Sequence, residues 1–205
     1  VPSVTNVVFD IGNVLVRWDP HFLYDPLFGD RADATRFLAE ICTPAWNLEQ
    51  DRGRTMAEGV ATLIDRYPDW IDEIRAWDER WHEMISGPID GTVAILERLR
   101  AADVPTWAIT NFSTEKYAET IERFPFLKGF RDTVVSAHVG LLKPDAAIFH
   151  LFLERNRLDA ANCLFVDDMP ANVAGARAVG LNAVLFESPE RFAEDLARHG
   201  IRLDP

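Results

Sequence analysis

Short apolar runs recur along the chain, and each stops at a polar residue. Val7-Val8-Phe9 ends at Asp10, Trp107-Ala108-Ile109 at Thr110, and Cys163-Leu164-Phe165-Val166 at the pair Asp167-Asp168. Runs that are apolar at every position, rather than at alternate ones, describe strands buried on both faces of a parallel sheet. Strands are predicted near 5–9, 104–109, 133–135, 163–166 and 183–186. Helical periodicity fills the gaps between several of them. The span 91–101 places Val93, Leu96 and Leu99 on one face, 145–156 carries Ile148, Phe149 and Phe152, and 171–179 is Ala-rich and stops at Gly180, a residue suited to a helix C-terminus. The alternation predicts an α/β protein with a doubly wound parallel sheet.

The stretch 20–86 breaks this rhythm. It contains no convincing strand and holds four of the six tryptophans, Trp46, Trp70, Trp77 and Trp81, in helical patterns interrupted by Pro44 and Pro68. It is read as an all-helical insert, with residues 1–19 and 87–205 forming the sheet-containing core and Gly87-Pro88 marking the return. No internal repeat, heptad run or low-complexity tract interrupts either part.

Composition narrows the function classes. With 21 basic and 33 acidic residues the chain carries a net charge of −12, which argues against sequence-independent binding to nucleic acid or to an anionic membrane. Two cysteines, one of them in a predicted buried strand, make a disulfide framework unexpected and fit a reducing, cytoplasmic setting. No run of eighteen apolar residues and no leader pattern is found, so a soluble, untargeted protein is expected. The sequon Asn111-Phe112-Ser113 is then a chance match.

Candidate chemistry lies where the apolar runs end. In open α/β sheets ligands sit beyond the carboxyl ends of the strands, so Asp10, Asp167 and Asp168 are expected to converge on one crevice. Carboxylates packed together repel one another unless a hard cation such as Mg²⁺ neutralises them. Phosphoryl transfer through a covalent intermediate needs a nucleophile, a cation, a fixed positive charge and hydrogen-bond donors. Asp10 is the candidate nucleophile, Thr110 with Asn111 supplies a hydroxyl and loop amides, Lys143 in Gly-Leu-Leu-Lys-Pro-Asp supplies the charge, and Asp167-Asp168 supplies metal ligands.

The order and spacing of these four segments resembles the haloacid dehalogenase-like hydrolase superfamily, made up mostly of phosphatases, and the match covers almost the whole chain. The resemblance implies a Rossmann-like parallel sheet core, a helical cap formed by 20–86, and Mg²⁺ held by Asp10, the Gly12 carbonyl, Asp167 and Asp168. It also implies that Lys143 lies between the nucleophile and the phosphoryl oxygens. Asn13, Asn111 and Trp46 are the candidate contacts to a small-molecule substrate. Position 12 departs from the pattern. Phosphatases of the superfamily usually carry a second aspartate there, which protonates the leaving oxygen and then activates water, and a missing general acid/base costs about 10²–10⁴-fold in rate. The segment Asp-Ile-Gly-Asn-Val resembles a bacterial subset acting on sugar phosphates, where an acidic anomeric leaving group demands less protonation.

Gly12 also matches the 2-haloacid dehalogenases, which use an aspartate nucleophile without metal. Two unneutralised carboxylates at 167 and 168 would then face an anionic substrate, and this favours a phosphatase. A non-catalytic phosphate-binding module is the third reading. His138, five residues before Lys143, stands where relatives often have an acid, and Asn172 where relatives often orient the lysine. Within the insert, Asn47 and Gln50 join Trp46 as candidate pocket residues, whereas Trp70, Trp77 and Trp81 are expected to pack.

Overall fold

The computed structural model describes residues 4–202, so the outermost parts of the predicted core range, 1–3 and 203–205, lie outside the described residues. The chain begins with β1 (Asn6–Phe9) and β2 (Val16–Trp18), then runs through five helices: α1 (His21–Phe28), α2 (Arg31–Glu40), α3 (Pro44–Asp51), α4 (Met56–Arg66) and α5 (Ile71–Glu79). It returns through β3 (Ile85–Pro88) to α6 (Asp90–Ala101), β4 (Thr106–Thr110), α7 (Thr114–Arg123), β5 (Thr133–Val135) and the short α8 (Ser136–Val139). The last elements are α9 (Ala146–Asn156), β6 (Cys163–Asp167), α10 (Pro170–Ala178), β7 (Asn182–Leu185) and α11 (Pro189–Arg198). No helix among the described residues is long and apolar enough to cross a membrane.

Five strands form one parallel sheet in the order β5-β4-β1-β6-β7, each close to its predicted place. Side chains alternate across it. Val7 and Phe9 face α6 and α11, where Leu96, Leu99, Phe192 and Leu196 are buried, and Val8 faces Ile148, Phe149 and Phe152 of α9. Burying one such side chain contributes about 1.5–3 kcal/mol, so each face anchors the central strand. Register then fixes the chemistry: Phe9 lies opposite Ala108 on one side and Val166 on the other. The residues that follow, Asp10, Thr110 and Asp167, therefore reach the carboxyl edge together. The chain leaves β1 for β4 and β5 on one side and crosses back to β6 and β7 on the other, which makes this edge a switch point where ligands collect.

The helices of 21–79 share one apolar cluster with the α6/α11 face of the sheet, including Leu23, Tyr24, Phe37, Ile74 and Trp77. Their boundaries follow local rules. Thr43 caps the Trp46 N–H with Pro44 in the first turn of α3, and Thr55 with Glu58 forms a reciprocal capping box on α4. Polar contacts bind this segment to the core, among them Lys116 paired with Asp78 at 2.7 Å, the Met56 N–H donating to Glu115 at 3.0 Å, and the buried Ser136 hydroxyl donating to the Asp51 carbonyl at 2.5 Å.

One expectation needs correcting. β2 and β3 pair antiparallel, so the stretch ending at 86 does contain strand, and Gly87-Pro88 are the last two residues of β3. Each strand is only three or four residues long, too short to show a period. It persists because its partner, some seventy positions away in sequence, satisfies its backbone. Helices α7 and α11, capped by Ser113 and Ser188, also lie outside the predicted set.

Candidate active site

The carboxyl edge of the sheet opens into a cavity of about 220 Å³. Its floor is Asp10, Gly12, Asn13, Thr110, Asn111, Lys143 and Asp168. Its outer wall is largely apolar, with Val16 and Trp18 of β2, Trp81, Ile85 and Phe112, while Asn47 and Asp51 come from α3.

Asp10 is 7% exposed, just beyond β1. Its N–H continues the sheet to the Val166 carbonyl, and Oδ1 accepts from the Ile11 N–H at 2.7 Å, which fixes the carboxylate. The buried Lys143 ammonium lies 2.8 Å from Asp10 Oδ1 and donates to Asp167 Oδ2 at 2.6 Å. Burial pushes the Asp10 carboxyl up to about 7; Lys143 pulls it back, while the Asp167 and Asp168 charges push further. Burial also works against the charge on Lys143, but Asp10 and Asp167 outweigh it and hold the ammonium above the ordinary lysine range. Asp168 is likewise raised, by burial and then by Asp167. One ammonium faces three carboxylates, leaving a local excess of negative charge.

Asp10, Asp167 and Asp168 offer carboxylate oxygens within 4.8 Å of one another. An all-oxygen, anionic set of this kind suits a hard divalent cation. The two members of the acidic pair differ in what they do. Asp167 is fully buried, and both its oxygens already accept hydrogen bonds: Oδ1 from the Met169 N–H at 2.8 Å and Asn172 at 2.9 Å, Oδ2 from Lys143 and from Asn172 at 3.1 Å. Asp168 borders the cavity and accepts from the Asn13 side chain.

Asn111 and Asn13 border the cavity and also hold the scaffold around it, whereas Trp46 lies away from it. Asn111 donates to the Lys143 carbonyl at 3.1 Å and accepts from its N–H at 2.9 Å, so both ends of its amide hold the lysine loop. Asn13, in the left-handed region at φ 54°, accepts from the Trp18 N–H at 3.0 Å and ties β2 to the floor; Asn is among the residues that tolerate this backbone. Trp46 does not line the cavity. It is buried among the helices, stacked edge-on against Trp77 at 5.3 Å, with its indole N–H donating to the Gly59 carbonyl at 3.1 Å. Gln50 is spent on the Trp46 carbonyl, and His138 is exposed beside the Tyr117 ring. Asn172 holds Asp167 rather than the lysine itself. Trp81, expected to pack, does so against Phe112 at 5.5 Å and also walls the cavity.

Sequence reasoning missed Ser136 and Asp51, as it did the apolar residues of the cavity wall. Ser136 is fully buried, and its hydroxyl accepts from the Phe112 N–H at 2.9 Å while donating to the Asp51 carbonyl, so it joins the turn after β4 to the end of α3. Asp51, the last residue of α3, presents its carboxyl to the cavity, and burial pushes it up to about 7 against the pull of Lys143 and the Ser113 N–H. An acid at the end of an amphipathic helix reads as solvated surface, and only its tertiary neighbours say otherwise.

A relative in Arabidopsis thaliana, the chloroplast flavin mononucleotide hydrolase 1, is 29% identical over 96% of this chain and 78% of its own length. Drimenol cyclase drtB of Aspergillus calidoustus is 38% identical over 94% of this chain, which spans only 36% of that protein. Among solved structures, a HAD family enzyme of Bacteroides thetaiotaomicron superposes with a TM-score of 0.75 at 19% identity, covering 95% of this chain and 98% of that one. The same enzyme has been solved with magnesium and inorganic phosphate, and that complex superposes at 0.70. The family model for haloacid dehalogenase-like hydrolases matches residues 4–180, a span that holds Asp10, Thr110, Lys143 and Asp168 on one cavity, and the chain belongs to that family.

Proposed function

We propose that this hydrolase is a Mg²⁺-dependent phosphatase of small phosphorylated metabolites, working through an aspartyl-phosphate on Asp10. The observation that carries the reading is the charge arrangement: a fixed, lysine-paired Asp10 beside an acidic pair whose outer member, Asp168, faces the same cavity. A dehalogenase site would leave that acidic excess facing an anionic substrate with no cation to offset it. Relatives named as phosphatases or hydrolases of phosphorylated compounds favour the same direction.

Asp10, Asp167, Asp168 and the Gly12 carbonyl would hold Mg²⁺. When bound, the cation supplies charge neutralisation for the phosphoryl oxygens. Asp10 attacks phosphorus, Lys143 offsets the charge on the oxygens, and Thr110 with the neighbouring loop amides orients the group. Water then hydrolyses the aspartyl-phosphate. The helices of 20–86 act as the cap that limits solvent during the first step. The aromatic and apolar wall of Trp18, Trp81, Ile85 and Phe112 suits a leaving group with a flat apolar face, and the faces of a sugar ring qualify, so sugar phosphates are the first class to try.

The test is phosphate release from sugar phosphates, flavin mononucleotide and acetyl phosphate, with and without Mg²⁺, using wild type and Asp10→Asn. Release that needs both the cation and Asp10 supports the reading. No release from any substrate, with halide freed from 2-chloropropionate, overturns it in favour of a dehalogenase; neither activity leaves a binding module.

A further inference from the structure

Among the residues lining the cavity, four are ionisable: Asp10, Asp51, Lys143 and Asp168. Three have work on the sheet side. Asp10 is the nucleophile of the proposed reaction, Lys143 is bonded to it, and Asp168 faces the cation position. Gly12 offers no carboxyl at all. A phosphatase still has to deliver a proton to the departing oxygen, and in an in-line displacement that oxygen points away from the nucleophile. Asp10 rises from the end of β1, so the leaving oxygen projects outward, to the side where α3 and the β2–β3 ribbon lie. We propose that Asp51 is the general acid of this enzyme, supplied by the helical segment in place of the aspartate missing at position 12.

Three features suit Asp51 to that task. It is the terminal residue of α3, where the negative end of the helix dipole favours a neutral acid over a carboxylate. Its carboxyl is positioned, not loose: Asn47 Nδ2 donates to Oδ2 at 3.3 Å, the Ser113 N–H donates to it, and Ser136 clamps its main-chain carbonyl. Burial raises it to about 7, so a proton is available near neutral pH.

The charged surroundings of Asp51 are sparse. Lys143 is the cation that acts on its carboxyl, with Asp10 and Asp168 across the cavity. On α8, His138 is exposed beside Tyr117; on α4, Glu58 is tied to Thr55; between α3 and α4, Arg54 is bonded to Gln50 and to the Trp46 carbonyl.

The inference rests on the phosphatase reading, and its step balances. An Asp10 oxygen forms a bond to phosphorus as the bond from phosphorus to the leaving oxygen breaks, and the Asp51 proton passes to that oxygen to release a neutral alcohol. Asp51, now a carboxylate, recovers a proton from the water that attacks the aspartyl-phosphate.

The experiment compares phenyl phosphate with p-nitrophenyl phosphate in the Mg²⁺-loaded enzyme. The two share a shape, but p-nitrophenolate departs without help and phenolate benefits from a proton. Because kcat/KM reports steps up to leaving-group departure, the ratio of kcat/KM for phenyl over p-nitrophenyl phosphate isolates the acid. Asp51→Asn is expected to lower that ratio by about 10²-fold, the low end of what a positioned acid contributes. A ratio that does not move overturns the proposal, even if both rates fall together, because that pattern is structural. Wild type supplies an independent measurement: kcat/KM for phenyl phosphate should fall as pH rises through about 7, and p-nitrophenyl phosphate should lack that limb. Identical profiles overturn the proposal without any variant. A wild type that releases no phosphate from either ester overturns the phosphatase reading itself, a result separable from an unmoved ratio.

Discussion

Replacing Asp51 by Asn tests the environment of that carboxyl with no substrate involved. Burial at the end of α3 raises the acid from 3.8 to about 7, so the native protein holds this proton more tightly than the unfolded chain does. The associated stability is fully present below about pH 4, is lost as pH climbs towards about 7, and stays lost above that. Each pH unit of the gap is worth about 1.4 kcal/mol, giving an upper value of about 4 kcal/mol. The group is only partly buried and opens on the cavity, where water screens the charge, so about 2 kcal/mol is the expected effect. Asn is isosteric, uncharged throughout the range, and keeps an oxygen to accept from the Ser113 N–H. Urea unfolding in EDTA at pH values between 4 and 8 should therefore show the variant gaining about 2 kcal/mol over wild type as pH rises. A difference that is flat across this window, or that runs the other way, refutes a buried neutral acid at position 51.

Other perturbations probe the scaffold. A Cβ on Gly175 would run into the Pro144 carbonyl, so Gly175→Ala should cost about 1–3 kcal/mol in urea melts, where a helix normally gains from the change, and should lower turnover by displacing the Lys143 loop. Lys143→Met strands Asp10 and Asp167, and removing one partner of a buried pair costs about 3–5 kcal/mol; the deficit at pH 8 should shrink when Mg²⁺ is added. Burial pushes the thiols of Cys42 and Cys163 up to about 12, so dithionitrobenzoate at pH 8 should label neither in the native protein and both once it is denatured. At Gly12 an added Cβ meets nothing within 4 Å; Gly12→Asp should leave the melting temperature nearly unchanged and, in the Asp51→Asn background, restore phenyl phosphate turnover.

What the sequence determined by itself is the sheet and the residues on its edge. A strand buried on both faces must be apolar at every position, so Val7–Phe9, Trp107–Ile109 and Cys163–Val166 announce themselves, and the first polar residue after each has to sit where the sheet ends. Asp10, Thr110 and Asp167 were legible on that ground, with Asp168 next to it in sequence, and Lys143 through its local motif. Roles set by pairing across the fold were not. The β2–β3 ribbon is too short for a period and exists because two distant segments hydrogen-bond. Asn111 and Trp46 carry groups that bind ligands in many sites, but here each finds an internal partner, the Lys143 backbone and the Gly59 carbonyl. Asp167 and Asp168 are adjacent in sequence and alike in chemistry, yet successive residues point in opposite directions, so one is consumed by Lys143 and Asn172 while the other faces the cavity. Asp51 shows the limit most clearly: its helix is readable, but whether a terminal carboxylate meets water or a buried cavity depends on what lies across from it, and only the packing of α3 against Ser113 and Ser136 decides that.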